Sequence, residues 1–457
     1  MSFPDAATIL KDHKKLYSPG KILHITPHGA PKPWGWKFYP MPPDLGDEEI
    51  GQAAADKTLT RAGLVFREKN QPHNLDRSIQ KDDSLKMKVE ILAVHGTGPG
   101  TYSPGIQKLK CKVLEVPLTP PLYENQRTPA VGDVIFIKAF DPMFFPRVVD
   151  PMEAHFKVTA RADMALSDEV GAYAFLYKHG MTGAPHIAPQ WFGCWTAEVQ
   201  STDPNFQTRY VGVIALEFID GICLQKLFVK DDVGNQIYVG DMPDLDDDTK
   251  TLLQVDVATR LGTMKDLLAG VVRQYKIGLS HYHIHPESVI LTFRRGSQDL
   301  ERPRVSLVGY TKSVVHPLRD PPRNVYANYT RPIHPFYRFN YSRLEAFFNC
   351  HWLPLGWKTN HPRISPLLNY WLLRTFGPLD SDEYSTLIRP SHGTVSAQPI
   401  EDSPLLHPSH EPFLAQNIES SVLQKMDEAI FFGNLTSEGE TSVPTQSSTP
   451  RNTTADT

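Results

Sequence analysis

The sequence predicts an α+β chain in two parts, β-rich first and mainly helical second. Three observations predict it. Between residues 86 and 217 short apolar–polar alternations recur, KMKVEILAV, KLKCKVLEV and VGDVIFIKAF among them, and a period of two marks a half-buried strand. From residue 249 the spacing changes. Leu253, Val257, Leu261, Met264, Leu268 and Val271 recur every three or four residues, which lines one face of a helix. The change follows the stretch LEFIDG, residues 216–221.

Residues 1–85 are rich in proline, glycine and charge, as in HGAPKPWGWKFYPMPPD. They show no period, so irregular structure is predicted, with Trp34, Trp36, Phe38 and Tyr39 as groups that dock on a folded body. The first two strands are joined by HGTGPGTYSPG, a turn-rich connector, and VGDVIFIKAF follows. SDEVGAYAFLYKHG is predicted as a helix: Ser167 suits an N-cap, Asp168 and Glu169 suit the positive end, and Val170, Tyr173, Leu176 and Tyr177 share a face. PQWFGCWTAEV and RYVGVIALEFIDG are two further strands. The long helix of residues 249–278 ends at Gly278, a residue suited to a helix C-terminus. HYHIHPESVILTF and PRVSLVGYTKSV are two short strands joined by RRGSQDLER. YSRLEAFF, ISPLLNYWLLRTF and SSVLQKMDEAIFF are predicted helices, and the aromatic set near 335–357 is predicted as core. From residue 436 almost no apolar side chain remains, which predicts disorder. The organisation is therefore 1–85, an irregular Pro-rich segment; 86–221, the β-rich part; 222–390, the helical part; and 391–457, a tail.

Composition narrows the function classes. The 457 residues are 40% hydrophobic and 21% charged, with a net charge of −4. That balance favours neither nucleic acid nor an anionic membrane as partner. Four scattered cysteines, Cys111, Cys194, Cys223 and Cys350, argue against a disulfide framework and a zinc motif. The N-terminal stretch lacks the apolar run of a signal peptide. An intracellular protein, cytoplasmic or nuclear, is the expectation, and the sequons at Asn434 and Asn452 then carry no weight.

The order of features resembles the protein kinase-like superfamily, in the divergent form common in fungi, over residues 86 to 385. HYHIHPESVIL resembles the catalytic loop, through His281, Pro286, Glu287, Val289 and Leu291. VSLVGYT resembles the strand entering the Asp-Phe-Gly motif. VIFIKAF resembles the strand with the phosphate-pairing lysine, SDEVGAYAFL the helix with its partner glutamate, and LEFIDG the hinge between lobes. The resemblance implies a two-lobed fold, with a β-rich N-lobe and a mainly helical C-lobe. It implies that Lys138 pairs with phosphate and Glu169 with Lys138, and that Glu217 and Phe218 lie at the nucleotide.

Phosphoryl transfer relies on positioning and on neutralising phosphate charge, with magnesium held by an Asn and an Asp. Here His283 takes the catalytic Asp position. Ser288 and Gly309 take the places of the two metal ligands, so no metal site is expected, since magnesium prefers oxygen donors such as carboxylates. Neither Asp299, at the hairpin turn, nor Glu287, at a position that normally points elsewhere, is a convincing replacement; Asp320 lies in the following loop. The implied function is a catalytically inactive pseudokinase, a scaffold or regulatory module with a protein partner and with ATP bound weakly or without metal. Two alternatives stand beside it: an unconventional ATP-dependent phosphotransferase with His283 as base, and a structural module whose cleft is filled by its own side chains or by the N-terminal segment. Blander roles compete at single residues. Lys157 competes with Lys138, Glu169 also suits a helix N-terminus, His281 reads as a structural brace and Tyr310 as a packing residue. His283 and His285 sit two residues apart with no third ligand visible in the sequence, so a metal pair is not expected.

Overall fold

The structure is a computed structural model. It describes residues 15–35, 39–43, 45–46, 51, 61–96, 99–100, 103–118, 127–146, 156–199, 208–230, 236–238, 255–295, 298–322, 326, 329–358, 365–379 and 381–386. Its centre is a closed antiparallel barrel of six strands. They are β1 (Ile22–Pro27), β2 (Met87–Gly96), β3 (Gln107–Glu115), β4 (Val134–Phe140), β5 (Trp191–Val199) and β6 (Arg209–Glu217). The order around the barrel is β1-β2-β3-β4-β6-β5.

This closure, with few helices elsewhere, overturns the expected two-lobed kinase-like α+β fold. The physical reason is β1, which lies in a segment predicted to be irregular. Its pairs Ile22↔Glu90 and Ile25↔Met87 cover the edge of β2, and Ile25↔Ala197 covers the edge of β5. A sheet closed on itself has no unpaired edge. The six residues ILHITP end in proline and are too short for a convincing period of two. The barrel interior is apolar, built from alternate residues of every strand, such as Leu23, Val89, Leu109, Ile137, Ala197 and Val213. The opposite strand faces therefore carry the chemistry.

Helix α1 (Val158–Lys178) packs on the outside of the barrel. It begins nine residues before Ser167, because VTARADMAL is rich in helix formers. Ser167 is buried mid-helix, and its hydroxyl donates to the Met164 carbonyl at 2.8 Å. The N-terminal segment continues from β1 along this helix. A Cβ on Gly171 would lie 2.2 Å from Pro33 Cγ, so the helix accepts that chain only where it has no side chain. Trp34 packs with Ala160 and Met164, and the Val315 N–H donates to the Tyr39 hydroxyl at 2.7 Å.

The second half is less helical than predicted. Strand β7 (Ile222–Cys223) joins a three-stranded sheet with β9 (Val289–Arg295) and β10 (Gln298–Leu307). Helix α2 (Val257–Ile277) is capped by the Asp256 side chain, which accepts from the Thr259 N–H, and ends at Gly278 with φ 99°. Strand β8 (Leu279–Ser280) follows directly and pairs with β11 (Val314–Val315). Helices α3 (Tyr341–Asn349) and α4 (Pro366–Phe376) complete a core in which Phe336, Phe347, Phe348, Trp352 and Trp357 are buried. Residues 249–254, the helix expected at SSVLQKMDEAIFF and the tail lie outside the described residues. No helix among the described residues is long and apolar enough to cross a membrane.

Candidate functional site

A cavity of about 730 Å³ lies against the outer face of the barrel. Strands β3, β4 and β6 give it Lys108, Phe136, Lys138 and Leu216. The stretch after β6 adds Phe218, Ile219 and Cys223, and the opposite wall carries His283, Glu287, Ser288, Ile290, Gly309 and Lys312. No lining residue comes from the described part of residues 1–85.

Lys138 points outward because strand side chains alternate and its neighbours Ile137 and Ala139 fill the barrel. Its Nζ lies 2.5 Å from Glu169 Oε1, and both side chains are almost fully buried. Glu169 sits in the body of α1, not at its N-terminal end, so the pairing with Lys138 is the role its position allows. The carboxylate also accepts from the Tyr310 N–H at 3.2 Å and from the Thr311 hydroxyl at 2.8 Å. Lys157, the competing lysine, precedes α1 and donates to Asn70 at 3.2 Å.

Lys108 faces Lys138 directly across the β3–β4 ladder. Like charges at such a position repel. Burial, and then the charge of Lys138, lower the Lys108 pKa below the usual lysine value, while Glu169 and Glu287 act the other way. Sequence reasoning missed Lys108. It belongs to an ordinary alternating strand, and only the register of β3 against β4 reveals its neighbour.

The loop after β8 carries the histidines. His281 is buried, its Nε2 lies 3.2 Å from the Val308 carbonyl oxygen, and its ring meets Tyr310 edge-on at 4.6 Å. Burial, with the charge of His283, pushes its imidazole down to about 3. It is a neutral brace, and Tyr310 is a packing residue whose hydroxyl accepts from Gln274 at 2.7 Å. Tyr282 has φ 55°, a conformation uncommon outside glycine, and the chain bends there between the two histidines on either side. His283 Nε2 lies 2.6 Å from Glu287 Oε1, and His285 Nδ1 lies 4.0 Å from the same oxygen. The three side chains each offer a donor atom within 4.8 Å of the others. Glu287, expected to point elsewhere, therefore turns into the cavity beside His283. Its place on the 3-10 turn Pro286–Ser288 brings it back over the loop.

Ser288 and Gly309 adjoin: a Cβ on Gly309 would lie 4.0 Å from the Ser288 Oγ. No carboxylate occupies either expected magnesium position. Asp320 is exposed and does not line the cavity, and Asp299 lies across the β9–β10 hairpin from Arg294 in the backbone register. Glu217 lines it, but its carboxylate accepts from Arg304 at 2.5 and 3.0 Å and from the Gln190 N–H at 3.0 Å. Burial alone would raise its pKa; the Arg304 and Gln190 hydrogen bonds and the Arg304 charge hold it below the usual carboxylate range. Its side chain thus fastens β6 to β10 and is already committed. Phe218 faces the cavity with the Lys110 ammonium 4.3 Å from its ring centroid.

No protein-family model matches the chain, and no curated protein matches it.

Proposed function

We propose that the chain is a non-catalytic binding module, a pseudokinase in function, whose cavity takes a nucleotide by its phosphates without magnesium. The observation that carries this reading is the lysine pair. Lys108 and Lys138 stand opposite each other at one wall, and Glu169 neutralises only one of them. The excess positive charge suits an anionic ligand, and lysine is a common phosphate partner. Phe136, Leu216, Phe218 and Ile290 give the same cavity an apolar side for a base, and its volume suits a small molecule. Ser288 and Gly309 leave magnesium without its carboxylate ligand, and transfer of a phosphoryl group depends on that metal. Binding without turnover is what remains.

One observation favours a second reading, an ATP-dependent phosphotransferase. Glu287 holds His283 at 2.6 Å, and a histidine oriented by a carboxylate can act as a general base.

The test is the melting temperature of the full chain with ATP, in magnesium and in EDTA, for wild type and Lys138→Met. A ligand at ten times its Kd stabilises the folded state by about 1.4 kcal/mol. The expected result is a rise that survives EDTA and is lost in Lys138→Met, while the variant still melts cooperatively without ATP. A magnesium-dependent rise, with phosphate transfer abolished by His283→Ala, would replace this reading with the second. No rise in either condition would leave a structural module.

A further inference from the structure

We propose that His283, His285 and Glu287 form a binding site for a transition-metal cation, zinc above all, with its remaining coordination position open to the cavity. The inference goes beyond the nucleotide reading and does not depend on it.

The geometry comes from local structure. His285 has an extended backbone, and in an extended chain residues two apart point to the same side. The two imidazoles lie nearly parallel, 12° apart, with centroids at 5.5 Å. The 3-10 turn that begins at Pro286 then folds Glu287 back to the same side. Ligands of a tetrahedral zinc at ordinary bond lengths lie about 3.4 Å from one another. The observed separations, 2.6 Å from Glu287 Oε1 to His283 Nε2 and 4.0 Å to His285 Nδ1, fall on either side of that value. All three donor atoms lie within 4.8 Å of one another, so small side-chain rotations bring them toward one ion. Metal binding replaces the 2.6 Å hydrogen bond between His283 Nε2 and Glu287 Oε1 and the long one, 3.4 Å, that the Glu287 N–H donates to His285 Nδ1.

The donor set selects the metal. Two imidazoles and one carboxylate suit zinc and its neighbours in the first transition row, and not magnesium. Zinc sites with three protein ligands keep an open position, and His283 and Glu287 line the cavity. Lys108 and Lys138 share the cavity and oppose a cation, which leaves the site weaker than a closed structural one.

The experiment uses the full chain, stripped with EDTA and desalted, and titrated with zinc chloride against a chromophoric chelator with no nucleotide present. Wild type is expected to bind one zinc. His285→Gln and Glu287→Gln are each expected to weaken binding at least tenfold, with unchanged melting in EDTA. Cys223→Ser controls for the nearby thiol, whose sulfur lies 3.4 Å from the Glu287 carbonyl oxygen, and is expected to bind as wild type does. Absence of stoichiometric zinc, affinity unchanged in His285→Gln, or affinity lost in Cys223→Ser alone would overturn the site. The nucleotide reading would survive each of these results, because its readout is the ATP shift in EDTA.

Discussion

Two buried ion pairs sit at opposite ends of the chemistry of this molecule. At one, Arg209 at the start of β6 meets Asp141 just after β4, with bonds of 2.8 and 2.6 Å. The Tyr17 hydroxyl and the Met143 N–H complete the carboxylate at 2.8 and 2.9 Å. Arg209 and Asp141 are 1% and 0% exposed. At the other, Lys138 meets Glu169, whose oxygens are also bonded to the Tyr310 N–H and the Thr311 hydroxyl. Both carboxylates are braced; the cations differ. Arg209 gives its fork to Asp141, and the network is closed. Lys138 has three N–H donors, spends one on Glu169, and stands at a cavity wall opposite Lys108. A closed pair fixes the barrel, while an open one of the same charges leaves binding capacity.

The largest effect is expected from breaking the closed pair. Asp141→Ala leaves Arg209 as an uncompensated buried charge, which costs about 3–5 kcal/mol, read as a shift in the urea midpoint of the full chain. Tyr17→Phe removes one bond from the network and is expected to cost on the order of 1 kcal/mol. Neither change touches the cavity, so the ATP-dependent rise in melting temperature stays as in wild type. Loss of that rise in Tyr17→Phe would end the division between a structural and a binding pair.

Much of the barrel is legible in the sequence, because alternation marks β2, β3 and β4 wherever one strand face fills a core. β1 is not, since its stability comes from two partner strands and not from its own six residues. The same long-range pairing makes Tyr17 and Tyr39 parts of the fold, although their segment reads as irregular. The start of α1 was obscured by Ser167, a good cap by type but satisfied here by a carbonyl one turn back. In the site, Lys138 and Glu169 are legible through the resemblance, which pairs a lysine of VIFIKAF with a glutamate of SDEVGAYAFL; the residues alone leave Lys157 and a helix-end role open. Lys108 and Glu287 are not. One depends on strand register and the other on the direction of a short turn, and neither is a local property of sequence.

A smaller effect is expected at His28, a buried titratable group just beyond β1. Burial pushes its imidazole down to about 4, with the His73 charge acting the same way and a His73 backbone hydrogen bond acting against it. The folded-state value lies below the unfolded one, so the fold favours the neutral ring. Its contribution is complete above about pH 6.5 and is lost as pH falls toward 4, on the order of 1 kcal/mol of it between pH 7 and 6. Asp163, raised to about 6 by burial against the His73 hydrogen bond and charge, has the opposite sign in acid. The difference between wild type and His28→Gln therefore isolates the histidine. Equal slopes of melting temperature against pH in the two proteins would mean that His28 is solvated when it protonates.

The smallest change in stability, and the sharpest contrast between the two ion pairs, is expected from Lys108→Met. At the closed pair, removal of a charge leaves its partner stranded. Among the described residues no carboxylate is hydrogen-bonded to Lys108: its cross-strand neighbour is Lys138, Glu169 and Glu287 act on it through charge alone, and methionine keeps most of the length and apolar body of the side chain. Removing one of two like charges relieves about 0.2–1 kcal/mol of repulsion, so the variant is expected to melt at or slightly above the wild-type temperature without ligand. With ATP in EDTA it is expected to lose most of the ligand-induced rise. Stability and binding thus move in opposite directions at one residue. A destabilised Lys108→Met that still responds fully to ATP would show that Lys108 is a structural cation, and would leave the phosphates to Lys138 alone.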